Sequence, residues 1–291
     1  MSDETISQSL ELADGRTLGY ADFAPDAPNA VLWCHGGPGS RLEPKLAGES
    51  SGDVGLRIIG IDRPGYGFST PRPGRSIEAC VPDIIAVADH LGIESFHIVG
   101  VSTGGAYALA TAATNPSRVR GVVACCALTD MRDHAARASM TGDGGAIADI
   151  WNSATRDEAI AFATKQFGAD GSAMLSAAGD TGLAEADTAL FADPAFLAGM
   201  METFAPMFAW GVEGYADDRL ADGPGWGGFD VKSVACPVVV AHGTADTICP
   251  PINGETTARI VPGADLRWFD GDGHFSVVRH VPELLVEMLG S

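Results

Sequence analysis

The chain predicts an α/β fold, a mainly parallel sheet of about eight strands flanked by helices, with a helical lid inserted after the sixth strand. Three observations carry this. Short apolar or β-branched runs closed by turn residues recur from the N-terminus, and amphipathic helical patterns lie between them. The rhythm breaks at about residue 131 and resumes near residue 230.

The strand-like runs are 6–12, 17–23, 30–35, 57–61, 96–101 and 119–128, followed after the break by 237–241 and 266–269. Asp14-Gly15 separates the first two, a strong hairpin signal. Runs 30–35 and 96–101 are almost unbroken in apolarity, as parallel strands buried on both faces should be. Ser76 can cap a helix that places Ile77, Val81, Ile84, Ile85, Ala88 and Leu91 on one face. A second helical pattern over 106–114 stops before Pro116. A last helix over 282–289 opens with Pro282 at a favourable first-turn position. Residues 131–229 are rich in Ala, Gly, Met, Phe and Asp and contain no convincing strand. The expected division is a core of 1–130 and 230–291 with a helical lid of 131–229.

Composition narrows the function. The 291 residues are 46% hydrophobic and 19% charged, the balance of a compact soluble protein. No apolar run approaches the ~20 residues needed to span a bilayer. The opening Met1-Ser2-Asp3-Glu4 lacks the basic flank and apolar stretch of a signal peptide, so a cytoplasmic location is expected. A net charge of −20 argues against nucleic acid and anionic membrane surfaces as partners. The expected partner is a small-molecule substrate, with a homo-oligomer left open. Cys34, Cys80, Cys125, Cys126, Cys236 and Cys249 form no CxxC pair, which predicts reduced thiols rather than a disulfide framework or a zinc site.

The chemistry centres on Gly100-Val101-Ser102-Thr103-Gly104. A serine hydroxyl attacks a carbonyl only when a base takes its proton and when the side chain projects from the backbone. A tight strand-to-helix turn achieves that projection, and glycine two residues either side of the serine removes the Cβ atoms that would clash. Residues 96–99 supply the strand and Ala106 onward the helix, whose N-terminus favours a developing oxyanion. His35-Gly36-Gly37-Pro38-Gly39-Ser40 follows the strand ending at Cys34. The N–H groups of Gly37 and Thr103 are candidates for a two-donor oxyanion hole.

The base must lie at the same sheet edge as the serine, where parallel strands present their C-terminal ends. Of seven histidines, His274 follows the last strand, in Asp270-Gly271-Asp272-Gly273-His274. His242 also follows a strand, but its neighbour Asp246 is the natural orienter; His90 lies on a helix, His97 begins a strand and His280 precedes the final helix. Asp246, after the strand 237–241, is the candidate carboxylate that holds the imidazole tautomer, with Asp130 as its rival after the sixth strand. Asp270 and Asp272 are close enough to His274 in sequence to shape its turn instead. Arg63, in the loop 62–69, is expected to pin a glycine-rich loop near the oxyanion turn, with contact to substrate as the alternative.

Ser102, Asp246 and His274, in that chain order, resemble the catalytic triad of the α/β-hydrolase superfamily. The resemblance covers most of the chain and is weakest in the lid. His35-Gly36-Gly37-Pro38-Gly39 and Asp62-Arg63-Pro64-Gly65-Tyr66-Gly67-Phe68-Ser69 resemble the branch that includes prolyl iminopeptidases. That branch usually carries tryptophan directly after the nucleophile, where this chain has Thr103. The broader resemblance is to bacterial esterase-like hydrolases, and it implies the α/β-hydrolase fold and no metal or organic cofactor. Serine at position 102 sets the chain apart from haloalkane dehalogenases and epoxide hydrolases, which use aspartate there.

The expected reaction is hydrolysis of a small or medium, neutral or apolar carboxylic ester through an acyl-enzyme. A prolyl-iminopeptidase-like aminopeptidase or amidase is the alternative, and a ligand-binding receptor with negligible turnover comes from a different class. The lid should shape the pocket, with Gly36, Phe204, Phe208 and Trp210 as candidate substrate contacts. A lid carboxylate such as Glu202 or Glu213 would bind a substrate amine if it reached inward; a solvated outer face is the expected place for such charge.

Overall fold

A computed structural model describes residues 6–48, 54–141, 146–173 and 182–290; the opening Met1-Ser2-Asp3-Glu4 lies outside them. The strands are β1 (Ser7–Glu11), β2 (Thr17–Phe23), β3 (Asn29–Cys34), β4 (Leu56–Ile61), β5 (Phe96–Val101), β6 (Val119–Cys125), β7 (Ala209–Val212), β8 (Val238–Gly243) and β9 (Asp265–Phe269). Eight of them form one sheet in the order β1-β2-β4-β3-β5-β6-β8-β9. β1 and β2 make the antiparallel hairpin, β2 also runs antiparallel to β4, and every later pairing is parallel.

The central strands bury both faces because successive side chains point to opposite sides. Leu32, Ile98, Val122 and Val240 pack with the helices Val81–His90 and Gly104–Thr114 on one side. Val31, Trp33, Val99, Val123 and Val239 pack with the closing helix, Val281–Gly290, on the other. Among the described residues no helix is long and apolar enough to cross a membrane. All six cysteines are free.

Several boundaries differ from the sequence reading for local reasons. Ser76 Oγ accepts from Ala79 N–H at 3.3 Å, but the first turn is a 3-10 segment, Glu78–Cys80, before the α-helix begins at Val81. The helix after Ser102 starts at Gly104 rather than Ala106, because Thr103 already has helical φ and ψ. The sixth strand stops at Cys125 because Cys126 turns the chain with φ +40°. Among its described residues the inserted segment holds one short strand, β7, outside the sheet, which the alanine- and glycine-rich composition concealed.

The segment between β6 and β8 is otherwise helical, including Arg156–Phe167, Pro194–Phe204 and Glu213–Asp222. It is tied to the sheet by a buried charge cluster. Asp218 receives Arg63 at 2.7 Å and Arg75 at 2.6 Å, and the Tyr66 and Tyr107 hydroxyls donate to it at 2.7 and 3.0 Å. Burial would raise the Asp218 carboxyl, yet the two guanidinium groups hold it far below the usual carboxylate range. A half-made cluster would be costly, since a buried charge without its partner keeps its full desolvation penalty.

Two pairs of outcomes test this packing. A Cβ at Gly104 would lie 2.0 Å from the Cys34 carbonyl oxygen, whereas one at Gly199, inside the helix Pro194–Phe204, meets nothing within 4 Å. Gly104→Ala is therefore expected to lose roughly 1–3 kcal/mol or more, and Gly199→Ala to gain about 0.5–1 kcal/mol, read as opposite shifts in urea midpoint. Asp218→Ala leaves Arg63 and Arg75 buried without their carboxylate and is expected to cost about 3–5 kcal/mol in the same measurement. A change under 1 kcal/mol would show the cluster to be dispensable.

Candidate active site

Ser102 sits where β5 passes into the helix Gly104–Thr114, at φ +52°. A non-glycine residue in this region stores about 1–3 kcal/mol and persists only where its surroundings over-determine it. Here its N–H donates to Cys125 O at 2.9 Å, and its carbonyl accepts from Gly105 and Leu128 N–H at 3.0 Å each. The glycines two residues away make the turn sterically feasible. A Cβ at Gly100 would lie 2.4 Å from Gly104 O. The hydroxyl is thus held at the tip of a rigid bend, 3.8 Å from Cys249 Sγ.

The loops after β8 and β9 bring Asp246 and His274 together. His274 Nδ1 and Asp246 Oδ2 are 2.8 Å apart, and Asp246 Oδ1 accepts the Ile248 and Cys249 N–H groups at 2.9 Å each. Burial alone would push the His274 imidazole down, but the Asp246 carboxylate outweighs it and holds the imidazole well above its ordinary value. Burial would raise Asp246, and the facing imidazole reverses that to a net lowering. His274 and Ser102 line the same cavity, of about 270 Å³.

The His274 loop has a second anchor that sequence reasoning missed. Asp187, from the inserted helix Glu185–Phe191, accepts the backbone N–H groups of His274, Phe275 and Ser276 at 2.8, 3.1 and 2.8 Å. Asp130 is engaged elsewhere, paired with Arg132 at 2.6 Å and accepting Trp226 N–H at 3.0 Å. Asp272 pairs with His280 at 2.8 Å, and Asp270 accepts from the Thr244 hydroxyl at 3.2 Å. His242 Nε2 lies 2.8 Å from Cys249 O and 3.6 Å from Asp246 Oδ2, and His242 does not line the serine's cavity.

The loop after β3 is held from three directions. His35 Nε2 accepts Arg63 N–H at 3.1 Å, so its Nδ1 carries the proton and donates to Gly36 O at 2.6 Å. The Arg63 guanidinium donates to His35 O, and to Gly36 O at 2.6 Å, which is the pinning expected of it. Gly36 N–H donates to Glu43 Oε1 at 2.8 Å. Gly37 lies against Thr103, since a Cβ there would be 2.8 Å from Thr103 Oγ1. The Gly37 and Thr103 N–H groups donate to no protein acceptor among the described residues. Arg219 of the inserted helix donates to Thr103 Oγ1 and pairs with Asp222 at 2.5 Å.

The four candidate substrate contacts separate. Gly36 and Phe204 line the cavity with Ser102 and His274. Phe208 instead packs on Phe167, ring centroids 5.8 Å apart, behind the wall. Trp210 is 45% exposed and donates to Gly67 O at 3.1 Å over a different hollow. The helix carrying Met200 and Phe204 ends at Phe204, after which Pro206 O accepts Gly67 N–H at 3.0 Å and Trp210 is held beside Gly67. Glu202 bridges to Lys45 at 2.7 Å and Glu213 to Arg156 at 2.6 Å, and neither lines the cavity.

Cys126, Asp246 and His274 have ligand-type atoms within 4.8 Å of one another. An ion there would compete with the His274–Asp246 hydrogen bond, so the same atoms serve one arrangement or the other.

Comparison with known proteins agrees with this architecture. The pattern of the α/β hydrolase fold family matches residues 29–281. The chain is 29% identical over 253 residues to a 2-hydroxymuconate semialdehyde hydrolase of Pseudomonas putida, covering 86% of this chain and 82% of that one. It is 27% identical over 282 residues to a proline iminopeptidase of Xylella fastidiosa, covering 90% and 88%. The esterase EaEST from Exiguobacterium antarcticum superposes with a TM-score of 0.73 at 19% identity, over 98% of this chain and 99% of that one. Sheet order, strand directions and the matched pattern lead to one conclusion: the chain belongs to the α/β-hydrolase fold family, and it is a hydrolase.

Proposed function

We propose that the protein is a serine hydrolase acting on a small or medium carboxylic ester with an apolar body, through an acyl-enzyme. The observation that carries this reading is Ser102 at φ +52° on the wall of a cavity it shares with His274, whose Nδ1 is 2.8 Å from Asp246. Ser102 Oγ attacks the ester carbonyl as His274 accepts its proton. Asp246 keeps the imidazole in the tautomer that leaves Nε2 free and stabilises the imidazolium. The developing oxyanion is received by the Gly37 and Thr103 N–H groups. Collapse expels the alcohol, protonated by His274; water then repeats the attack on the acyl-enzyme and releases the acid.

Leu46, Phe167, Met200, Phe204 and Met207 give the cavity its apolar surface, which suits an acyl chain of modest size. Residues 131–229 act in this reading as the lid that excludes water from the acyl-enzyme. The cytoplasm is its expected setting. Amide cleavage in the manner of an exopeptidase is the second reading, favoured by the similarity to the Xylella fastidiosa proline iminopeptidase. Turnover of a prolyl arylamide at a rate comparable to a short acyl ester would support it, and no amide turnover would dispose of it.

A fluorophosphonate probe is expected to label the wild-type protein and not Ser102→Ala; equal labelling of both would refute the nucleophile. Because His274 works as a base only when neutral and its folded-state value is raised, the acid limb of kcat/KM should lie above pH 6.5. Asp246→Asn should move that limb to lower pH and reduce kcat by roughly 10³–10⁴. A limb left in place by Asp246→Asn would assign it to another group.

A further inference from the structure

Glu43 is a buried carboxyl group in the wall of the proposed acyl cavity, with no cation paired to it among the described residues. Its side chain is 6% exposed, and it lines the cavity together with Ser102 and His274. Oε2 accepts Trp33 Nε1–H at 2.8 Å and Oε1 accepts Gly36 N–H at 2.8 Å. Both partners are neutral. Among the described residues, no Lys, Arg or His lies within ion-pair distance of it. Of the other buried carboxylates that position this region, Asp62, Asp218 and Asp222 each have an arginine at 2.5–2.9 Å, while Asp187 is met by three backbone N–H groups. Two N–H groups leave a carboxylate with further lone pairs to fill, and a buried charge of this kind is costly until an opposite charge meets it.

The geometry also connects Glu43 to the nucleophile. Position 36 is glycine, and the place a Cβ would take there is 3.2 Å from Glu43 Oε1 and 3.5 Å from Ser102 Cβ. One position beside Gly36 is therefore close to both the carboxylate and the serine side chain. A substituent on the carbon next to the ester carbonyl would reach Glu43 while the carbonyl carbon stays on Ser102 Oγ. The surrounding wall, Leu46, Met200 and Phe204, offers that substituent no other ionic partner. The net charge of −20 raises the local concentration of cations over anions on the way in.

We propose that Glu43 is a specificity-determining residue that recognises an ammonium group on the acyl side of the substrate, adjacent to the scissile carbonyl. The inference rests on the reading of Ser102 as the nucleophile and refines the substrate from a neutral ester to an amino-acyl ester with an apolar side chain. Burial pushes the Glu43 carboxyl up to about 7, against the lowering by the Trp33 and Gly36 N–H groups and by the more distant charges of Arg63 and His274. Recognition of a cation needs the ionised form, so the preference should strengthen as pH rises through 7 and before the substrate amine loses its own proton.

The test uses two esters of one alcohol, 2-aminopropanoate and its isostere 2-methylpropanoate, in which a methyl replaces the ammonium. For the wild type, kcat/KM is expected to favour the amino ester at least tenfold at pH 7.5 and by a smaller factor at pH 6. Glu43→Gln should lower the ratio at least tenfold from its wild-type value, whatever it does to the absolute rates and to the intrinsic reactivity difference between the two esters. A second measurement needs no variant: isopropylammonium should protect wild-type protein from fluorophosphonate labelling at concentrations where 2-propanol does not. A wild-type ratio near one, a ratio unchanged in Glu43→Gln, or equal protection by the two small molecules would overturn the proposal. The two readings fail separately. Labelling and hydrolysis of the 2-methylpropanoate ester without preference sinks the role of Glu43 alone, whereas absence of both labelling and hydrolysis sinks the nucleophile.

Discussion

The contact between Gly104 and the Cys34 carbonyl is the constraint from which the site follows. With no side chain at position 104, the helix Gly104–Thr114 approaches β3 until backbone meets backbone, where a Cβ would lie 2.0 Å from an oxygen. That approach forces the chain to leave β5 through a bend one residue wide, and Ser102 takes the strained conformation at its tip. It also brings the loop after β3 alongside the start of the helix, so that Gly37 and Thr103 become neighbours although 66 positions separate them in sequence. Nucleophile and candidate oxyanion donors are therefore consequences of one close packing.

The remaining parts are positioned by buried charge rather than by apolar packing. Arg63 holds the carbonyls of His35 and Gly36 from one side while Asp218 of the inserted helix holds Arg63 from the other. Arg219, on the next residue of that helix, reaches Thr103. Asp187 gathers three consecutive N–H groups of the His274 loop. The inserted segment thus contacts both the oxyanion loop and the base loop through ions, where a displaced helix would leave charges unpaired in a medium that penalises them.

Legibility in the sequence tracked how local each determinant is. Ser102, Asp246 and His274 each follow a strand at its C-terminal end, so strand runs and turn residues were enough to select them as candidates, and the folded chain brings Asp246 and His274 within a hydrogen bond. Helix starts were displaced by a turn or less, because a 3-10 segment and a single residue with helical dihedrals leave no distinct pattern. The cavity wall was not legible in the same way. Phe208 and Trp210 belong to the right stretch of sequence, but their direction is set by the Gly67–Pro206 hydrogen bond, made across 139 positions. Asp218 was hidden because its partner Arg63 is 155 residues distant. Glu43 follows the glycine loop by only a few residues, yet Glu-Pro-Lys reads as a polar surface turn until the buried Trp33 indole is found donating to it.

Ser102 has a chemical competitor in Cys249, whose thiol is 3.8 Å from the hydroxyl although burial holds it well above its ordinary value. The most direct measurement is therefore to quench the protein in acid during turnover of a slowly deacylating ester and locate the acyl group by peptide mass spectrometry. The account predicts one acyl adduct, on Ser102 and absent from Ser102→Ala. An adduct on Cys249, or turnover with no adduct on either residue under conditions that trap acyl-enzymes of control hydrolases, would contradict it.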